Sequence, residues 1–225
     1  MAGYLVQTDD GTNVLVDTGW PRTYVNDPQH PPGLTLEIEQ EDTVVVCLAS
    51  LGLTPSDIDF LICSHLDDDH SGNHDLFPDA ELIVQRSHYD LATSGHPRFS
   101  ANRHVWDHPG LRYRLIDGDI ELLPGVHLLE TSGHVPGHQS VLVVLPQTGP
   151  IVLAIDAVMD QSMADAETRE MWVTDWIETS QDEARVRKST RKIAEIAESQ
   201  GAAFFIYGHD AKQWTELRIA PEFYE

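Results

Sequence analysis

The sequence predicts one α+β layered domain over residues 1–225. Three observations predict it. Apolar runs of strand length open the chain and return through its second half. A helical segment interrupts them early. A long helix with a single apolar stripe precedes one last strand. The length is enough for a substantial core, and a hydrophobic fraction of 41% is too high for a disordered acidic tail.

Taken in order, Gly3–Thr8 and Thr12–Asp17 read as strands joined by the Asp10-Gly11 turn. Residues 21–32 are a Pro-rich polar loop, and Glu41–Leu51 reads as a helix closed by Gly52. After a turn at Thr54–Asp57, Ile58–Cys63 is a short, nearly continuous apolar strand. Glu81–Gln85, Leu122–Glu130, Gln139–Leu145 and Ile151–Ile155 are further strands, several separated by Pro-Gly or Thr-Gly-Pro turns. Ser180 and Glu183 form a capping box. The helix it opens has a stripe of Val186, Thr190, Ile193 and Ala197, with a solvated face of mixed charge opposite. Gly201 ends that helix, and Ala203–Tyr207 is the final strand.

Charge and cysteine narrow the function classes. The chain has 14 Lys and Arg against 37 Asp and Glu, a net charge of −23. A nucleic-acid groove needs an excess of cations to displace counterions, so nucleic acid is excluded as a partner, and an anionic membrane surface with it. Two Cys cannot form a disulfide framework, the longest apolar runs are far short of a membrane span, and the first residues lack a signal-peptide pattern. These features predict a soluble cytoplasmic protein. Twelve His in so acidic a chain call for an explanation.

The chemistry concentrates at strand ends. Directly after the Ile58–Cys63 strand comes Ser64-His-Leu-Asp-Asp-Asp-His-Ser-Gly-Asn-His74, which packs His65, Asp67, Asp69 and His70 into six residues. Imidazole and carboxylate together suit Zn, Mn, Fe or Co better than Mg or Ca. His134 lies in the turn between two strands, Asp156 ends Ile151–Ile155, and His209 follows Ala203–Tyr207. Asp17 ends the second strand. Loops at the ends of buried strands are where a rigid scaffold presents functional side chains.

In order and spacing these residues resemble the motifs of the metallo-β-lactamase fold superfamily: a strand-end Asp, then His-x-His-x-Asp-His, a lone His, an Asp and a last His. The resemblance implies a four-layer αββα sandwich with two divalent transition-metal ions at its edge. His65, Asp67 and His134 would hold one ion. Asp69, His70 and His209 would hold the other, with Asp156 bridging and Asp17 supporting from behind. His74 and His138 flank the ligand loops and are candidates for the same supporting shell or for ordinary packing roles. Within that superfamily the chain is similar to the N-acyl-homoserine lactone hydrolases. The similarity rests on Leu15-Val-Asp-Thr-Gly19, Asp69-His-Ser-Gly-Asn73, Gln85-Arg-Ser-His-Tyr89, Gly208-His-Asp-Ala-Lys-Gln-Trp214 and Pro221-Glu-Phe-Tyr-Glu225. It implies a metal-dependent hydrolase that opens a small lactone or ester by attack of a metal-bridging hydroxide, with Asp69 carrying the proton to the leaving oxygen. Met159, Trp172 and Trp176 are candidates for an apolar substrate pocket. A homodimer is compatible with the resemblance.

Three departures stand out. The second His of the motif is Asp67 here, which, counted with two divalent ions, Asp69, Asp156 and one hydroxide, makes the core neutral instead of +1. Such a centre is a weaker Lewis acid and favours Mn, Fe or Co beside Zn. Met159 stands where the lactonases carry a Tyr. The chain also begins at what is the second or third strand in relatives, so an outer N-terminal strand is expected to be lacking. Asp67 keeps open a diiron-type oxidoreductase of the same fold, and the three departures together keep open a catalytically impaired metal-binding protein.

Overall fold

Asp10-Gly11 closes the first hairpin, with Gly11 at φ +88°. Strands β1 (Tyr4–Gln7) and β2 (Asn13–Val16) pair antiparallel, in a register that sets Tyr4 opposite Val16. The computed structural model describes residues 3–25, 36–164 and 182–225. The chain divides into two compact units, one built from residues up to 83 with 92–114, the other from 84–91 with 115–225.

In the first unit, a short helix α1 (Val44–Ser50) follows a 3-10 turn over Gln40–Asp42 and ends at Gly52, φ +76°. Strand β3 (Phe60–Ile62) lies parallel to both β2 and β4 (Glu81–Gln85). Leu61 and Ile62 are fully buried, as expected where a parallel strand is covered on both faces. A one-turn helix α2 (Asp68–Ser71) follows β3. Helix α3 (Arg86–Thr93), most of which belongs to the second unit, and α4 (Arg103–Trp106) precede β5 (Arg112–Ile116), and the first sheet runs β1-β2-β3-β4-β5. Leu15, Leu48, Ile58, Leu61, Phe77 and Leu82 form the core of this unit.

The second unit carries a sheet in the order β10-β9-β8-β7-β6. The stretch expected as one strand over 122–130 is two: β6 (Ile120–Leu123) and β7 (Val126–Glu130). Pro124-Gly125 turns the chain between them. Pro lacks the N–H that a ladder needs, and Gly125 takes φ +80°. β8 (Gln139–Leu145) and β9 (Gly149–Ile155) continue antiparallel, and β10 (Phe204–Tyr207) joins β9 in parallel. Helix α5 (Glu183–Gln200) buries Val186, Thr190 and Ile193 on the face read from the sequence and stops at Gly201, φ +64°. Its cap is Asp182, whose carboxylate accepts the Arg185 N–H; Ser180 lies outside the described residues. A one-turn helix α6 (Ala211–Trp214) follows β10. No helix among the described residues is long and apolar enough to cross a membrane.

Strand direction decides what meets at each edge. β2 and β3 are parallel, so Asp17 and Ser64-His65 leave the first sheet on one edge. In the second sheet β7, β9 and β10 all run the same way, so Thr131, Asp156 and Gly208 likewise emerge on one edge. The carboxyl ends of parallel strands are the usual place for ligand sites in α/β sheets.

His74 belongs to the core of the first unit. Its ring is fully buried, with Nδ1 3.4 Å from the Tyr113 hydroxyl, which donates to the Trp106 carbonyl. Burial, opposed by the Asp75 charge, pushes its pKa down to about 3. The unfolded chain takes up this proton near pH 6.5 and the folded one does not, so acid favours unfolding between those two values. Lowering the pH from 7 to 5 is expected to cost about 2 kcal/mol of stability through this group. Urea unfolding of wild type and His74→Gln at both pH values checks it: the variant should lose that increment of pH dependence.

Candidate metal centre

In the first unit, Asp17 organises the motif loop. It sits at φ +57°, a strained setting for a residue with a Cβ. Its Oδ1 accepts the Ser64 N–H at 2.9 Å, and its Oδ2 accepts the Ser64 hydroxyl at 2.7 Å. The same Oδ2 lies 2.9 Å from His70 Nδ1. A carboxylate can only accept, so His70 carries its proton on Nδ1 and presents the lone pair of Nε2. Ser64 gives its proton to Asp17, so its oxygen accepts from His65 Nδ1 at 3.0 Å, and His65 also presents Nε2. Both imidazoles are fixed in the tautomer that a metal ion requires.

Those nitrogens face carboxylates. His65 Nε2 is 3.2 Å from Asp67 Oδ2, and His70 Nε2 is 3.6 Å from Asp69 Oδ2. Donor atoms of His65 and Asp67, of His65 and His70, and of Asp69 and His70 lie within 4.8 Å of each other. The acidic run is strained electrostatically: burial, then the charges of Asp67 and Asp69, push the Asp68 carboxyl up despite the Tyr24 hydroxyl.

In the second unit, Asp156 stands between two imidazoles. Its Oδ2 is 3.4 Å from His134 Nε2 and its Oδ1 is 3.1 Å from His209 Nε2. One oxygen toward each ring is the disposition of a bridging carboxylate. The chain is forced into place here. Ile155, a β-branched residue, takes φ +52°, a conformation costing about 1–3 kcal/mol. Gly208 passes so close that a Cβ would meet the Ile155 carbonyl oxygen at 2.6 Å and Asp156 Oδ1 at 2.8 Å. The His209 N–H then donates to the Met159 carbonyl at 2.6 Å, which ties the last His to the segment after Asp156.

His138 sits beside His134, with ring centroids 6.0 Å apart in an edge-on arrangement. Its Nδ1 lies 2.8 Å from the Thr131 hydroxyl, which leads on to Ser140 at 3.0 Å and the Ala154 carbonyl. His88 Nδ1 donates to the Pro136 carbonyl and anchors the same loop. Met159 is buried, whereas Trp172 and Trp176 lie outside the described residues. Within each unit, then, the expected ligands share one sheet edge with their supports. The sequence reading passed over three supports: Ser64, Thr131 and Gly208. It also passed over Arg98, whose guanidinium holds Asp67 by two hydrogen bonds, Nε to Oδ1 at 2.7 Å and an Nη to Oδ2 at 2.6 Å. The signal for Arg98 was a charge argument alone, because three consecutive Asp call for a cation.

The donor chemistry fits divalent transition-metal ions: neutral imidazoles of fixed tautomer, carboxylates and no thiolate among the assigned donors. The chain belongs to the metallo-beta-lactamase superfamily, whose family model matches residues 3–209. It is 33% identical over 226 residues to an N-acyl homoserine lactonase from Bacillus sp., covering 98% of this chain and 85% of that one. It is 30% identical to the N-acyl homoserine lactonase AttM of Rhizobium radiobacter, over 98% of this chain and 86% of that one. A solved N-acyl homoserine lactone hydrolase, with N-hexanoyl-L-homoserine bound at its catalytic metal centre, is similar in fold. The TM-score is 0.82 at 31% identity, covering 98% of this chain and 85% of that one. A dizinc quorum-quenching lactonase, AidC, matches at TM-score 0.61 and 17% identity and shares the fold.

Asp17→Asn keeps the shape but removes the charge that fixes His70. Losing such a support typically costs 10–100-fold in metal affinity. Competition with a chromophoric chelator should register a loss on that order while the circular dichroism spectrum stays unchanged.

Proposed function

We infer that this chain is a metal-dependent hydrolase that opens the ring of an N-acyl homoserine lactone or a similar small lactone. The metal half of this reading rests on Asp156, with one oxygen toward His134 and the other toward His209. The lactone half rests on a similarity to N-acyl homoserine lactonases that runs through 98% of the chain. His65, Asp67 and His134 would hold one divalent ion, and Asp69, His70 and His209 the other, with Asp156 shared. Two such ions would supply Lewis acidity, for activating water at neutral pH and for polarising a carbonyl.

The residues of the chain do the rest. Asp17 and Ser64 keep the tautomers of His70 and His65 fixed, so no proton has to move before ligation. Asp69, partly exposed and beside His70, would take the proton given up by the attacking water and return it to the ring oxygen as the C–O bond breaks. No Ser or Cys nucleophile enters the scheme. Met159 stands in the segment where the lactonases place a Tyr, and its thioether cannot donate to an oxyanion. Met159, with Trp172 and Trp176, would instead line an apolar surface for an acyl chain. The reading takes residues 1–225 as one domain of this family, acting on a small molecule.

The test is metal content together with hydrolysis of a panel of lactones that differ in acyl chain. Wild type should carry metal and open at least one member, and chelator should abolish the reaction. Asp156→Ala should lose at least 100-fold in kcat/KM. A purified protein that takes up no metal, or that is inert toward every lactone and ester, would overturn this reading.

A further inference from the structure

Arg98 changes the electrostatics of the first metal position. It lies on a 3-10 turn, Pro97–Phe99, that the surrounding structure holds in place. His96 Nδ1 accepts the Arg98 N–H, Phe99 is buried, and the Trp106 indole donates to the Phe99 carbonyl. From there the guanidinium forms a two-point pair with Asp67, and both partners are largely shielded, with side-chain exposures of 21% and 16%. Bidentate Arg–carboxylate pairs of this geometry are the strong ones. Asp67 is also the residue whose Oδ2 faces His65 Nε2 at 3.2 Å.

We propose that Arg98 is a positioning residue that shares Asp67 with the metal ion: it cancels the charge of the carboxylate and weakens the first metal position. Resting on the reading above, this alters the charge count of the core. Asp67 alone makes the ligand set one unit more negative than a neutral His would. Asp67 together with Arg98 restores the charge of the His version, so the pair acts as a unit in place of one imidazole. The fixed cation also repels a divalent ion and occupies lone pairs of both carboxylate oxygens. The two ions are therefore held unequally. The one at Asp69, His70 and His209 is tight, and the one at His65, Asp67 and His134 is weak and exchangeable.

The experiment is dialysis of the Mn- or Zn-loaded full chain against graded chelator, with metal per chain counted and folding followed by circular dichroism. Wild type should release its two equivalents in separate steps. Arg98→Gln, which removes the cation at a partly exposed site, should tighten the weaker equivalent at least tenfold. Arg98→Lys keeps the charge without the fork and should fall between wild type and Arg98→Gln. Asp67→His strands the guanidinium against a neutral ligand. It should therefore hold the weaker equivalent less well than Asp67→His combined with Arg98→Gln. An Arg98→Gln protein that is folded and releases its second equivalent at the wild-type chelator concentration, or more easily, overturns the proposal. If wild type holds no metal at all, the hydrolase reading itself fails, so the two failures are told apart.

Discussion

Asp156 is the constraint on which the rest of the site depends. A carboxylate buried between two imidazoles is costly unless cations or protons compensate it. The chain nevertheless spends local strain to put it there, with Ile155 in the left-handed region and Gly208 too close for any side chain. Strain retained at one point of a sheet edge is informative because a relaxed backbone was available at little cost elsewhere. Asp17 repeats the device in the first unit, where its own left-handed backbone turns the carboxylate onto Ser64 and His70. Each sheet thus ends in one acid set by a strained residue, Asp17 by its own backbone and Asp156 by Ile155 before it, and each acid faces two imidazoles or their supports.

The supports follow a single logic. An imidazole is a useful metal ligand only when its other nitrogen is committed. Asp17 commits His70 directly, and Ser64 relays the same effect to His65 because its proton is already given to Asp17. A wholly neutral ligand set would leave the charge of two divalent ions uncompensated. The carboxylates Asp67, Asp69 and Asp156 and the cation Arg98 adjust that charge. On the proposed function, the part of the net charge of −23 that these residues carry belongs to the site and not to the surface.

Much of this was legible in the sequence, for a physical reason. Apolar runs such as Leu61–Cys63 and Val152–Ile155 give way at once to Ser64-His65 and to Asp156, polar residues that stay buried and so need partners. The helix stripe Val186, Thr190, Ile193 was legible because its period is local. What escaped was either short or distant. Pro124-Gly125 splits what reads as one strand. α3 carries too few apolar residues to show a stripe. Arg98 meets Asp67 across 31 positions, and no local pattern records a contact of that range. His74 looked like a neighbour of the ligand loop, yet its ring is part of the core beside Tyr113.

The proposed function stands or falls with Asp156 as a carboxylate shared by two metal ions. Anomalous diffraction from crystals of the metal-loaded chain addresses it directly. The account predicts two peaks roughly 3.5–4 Å apart, with the two oxygens of Asp156 divided between them. A single peak, or two peaks of which only one touches Asp156, would contradict it.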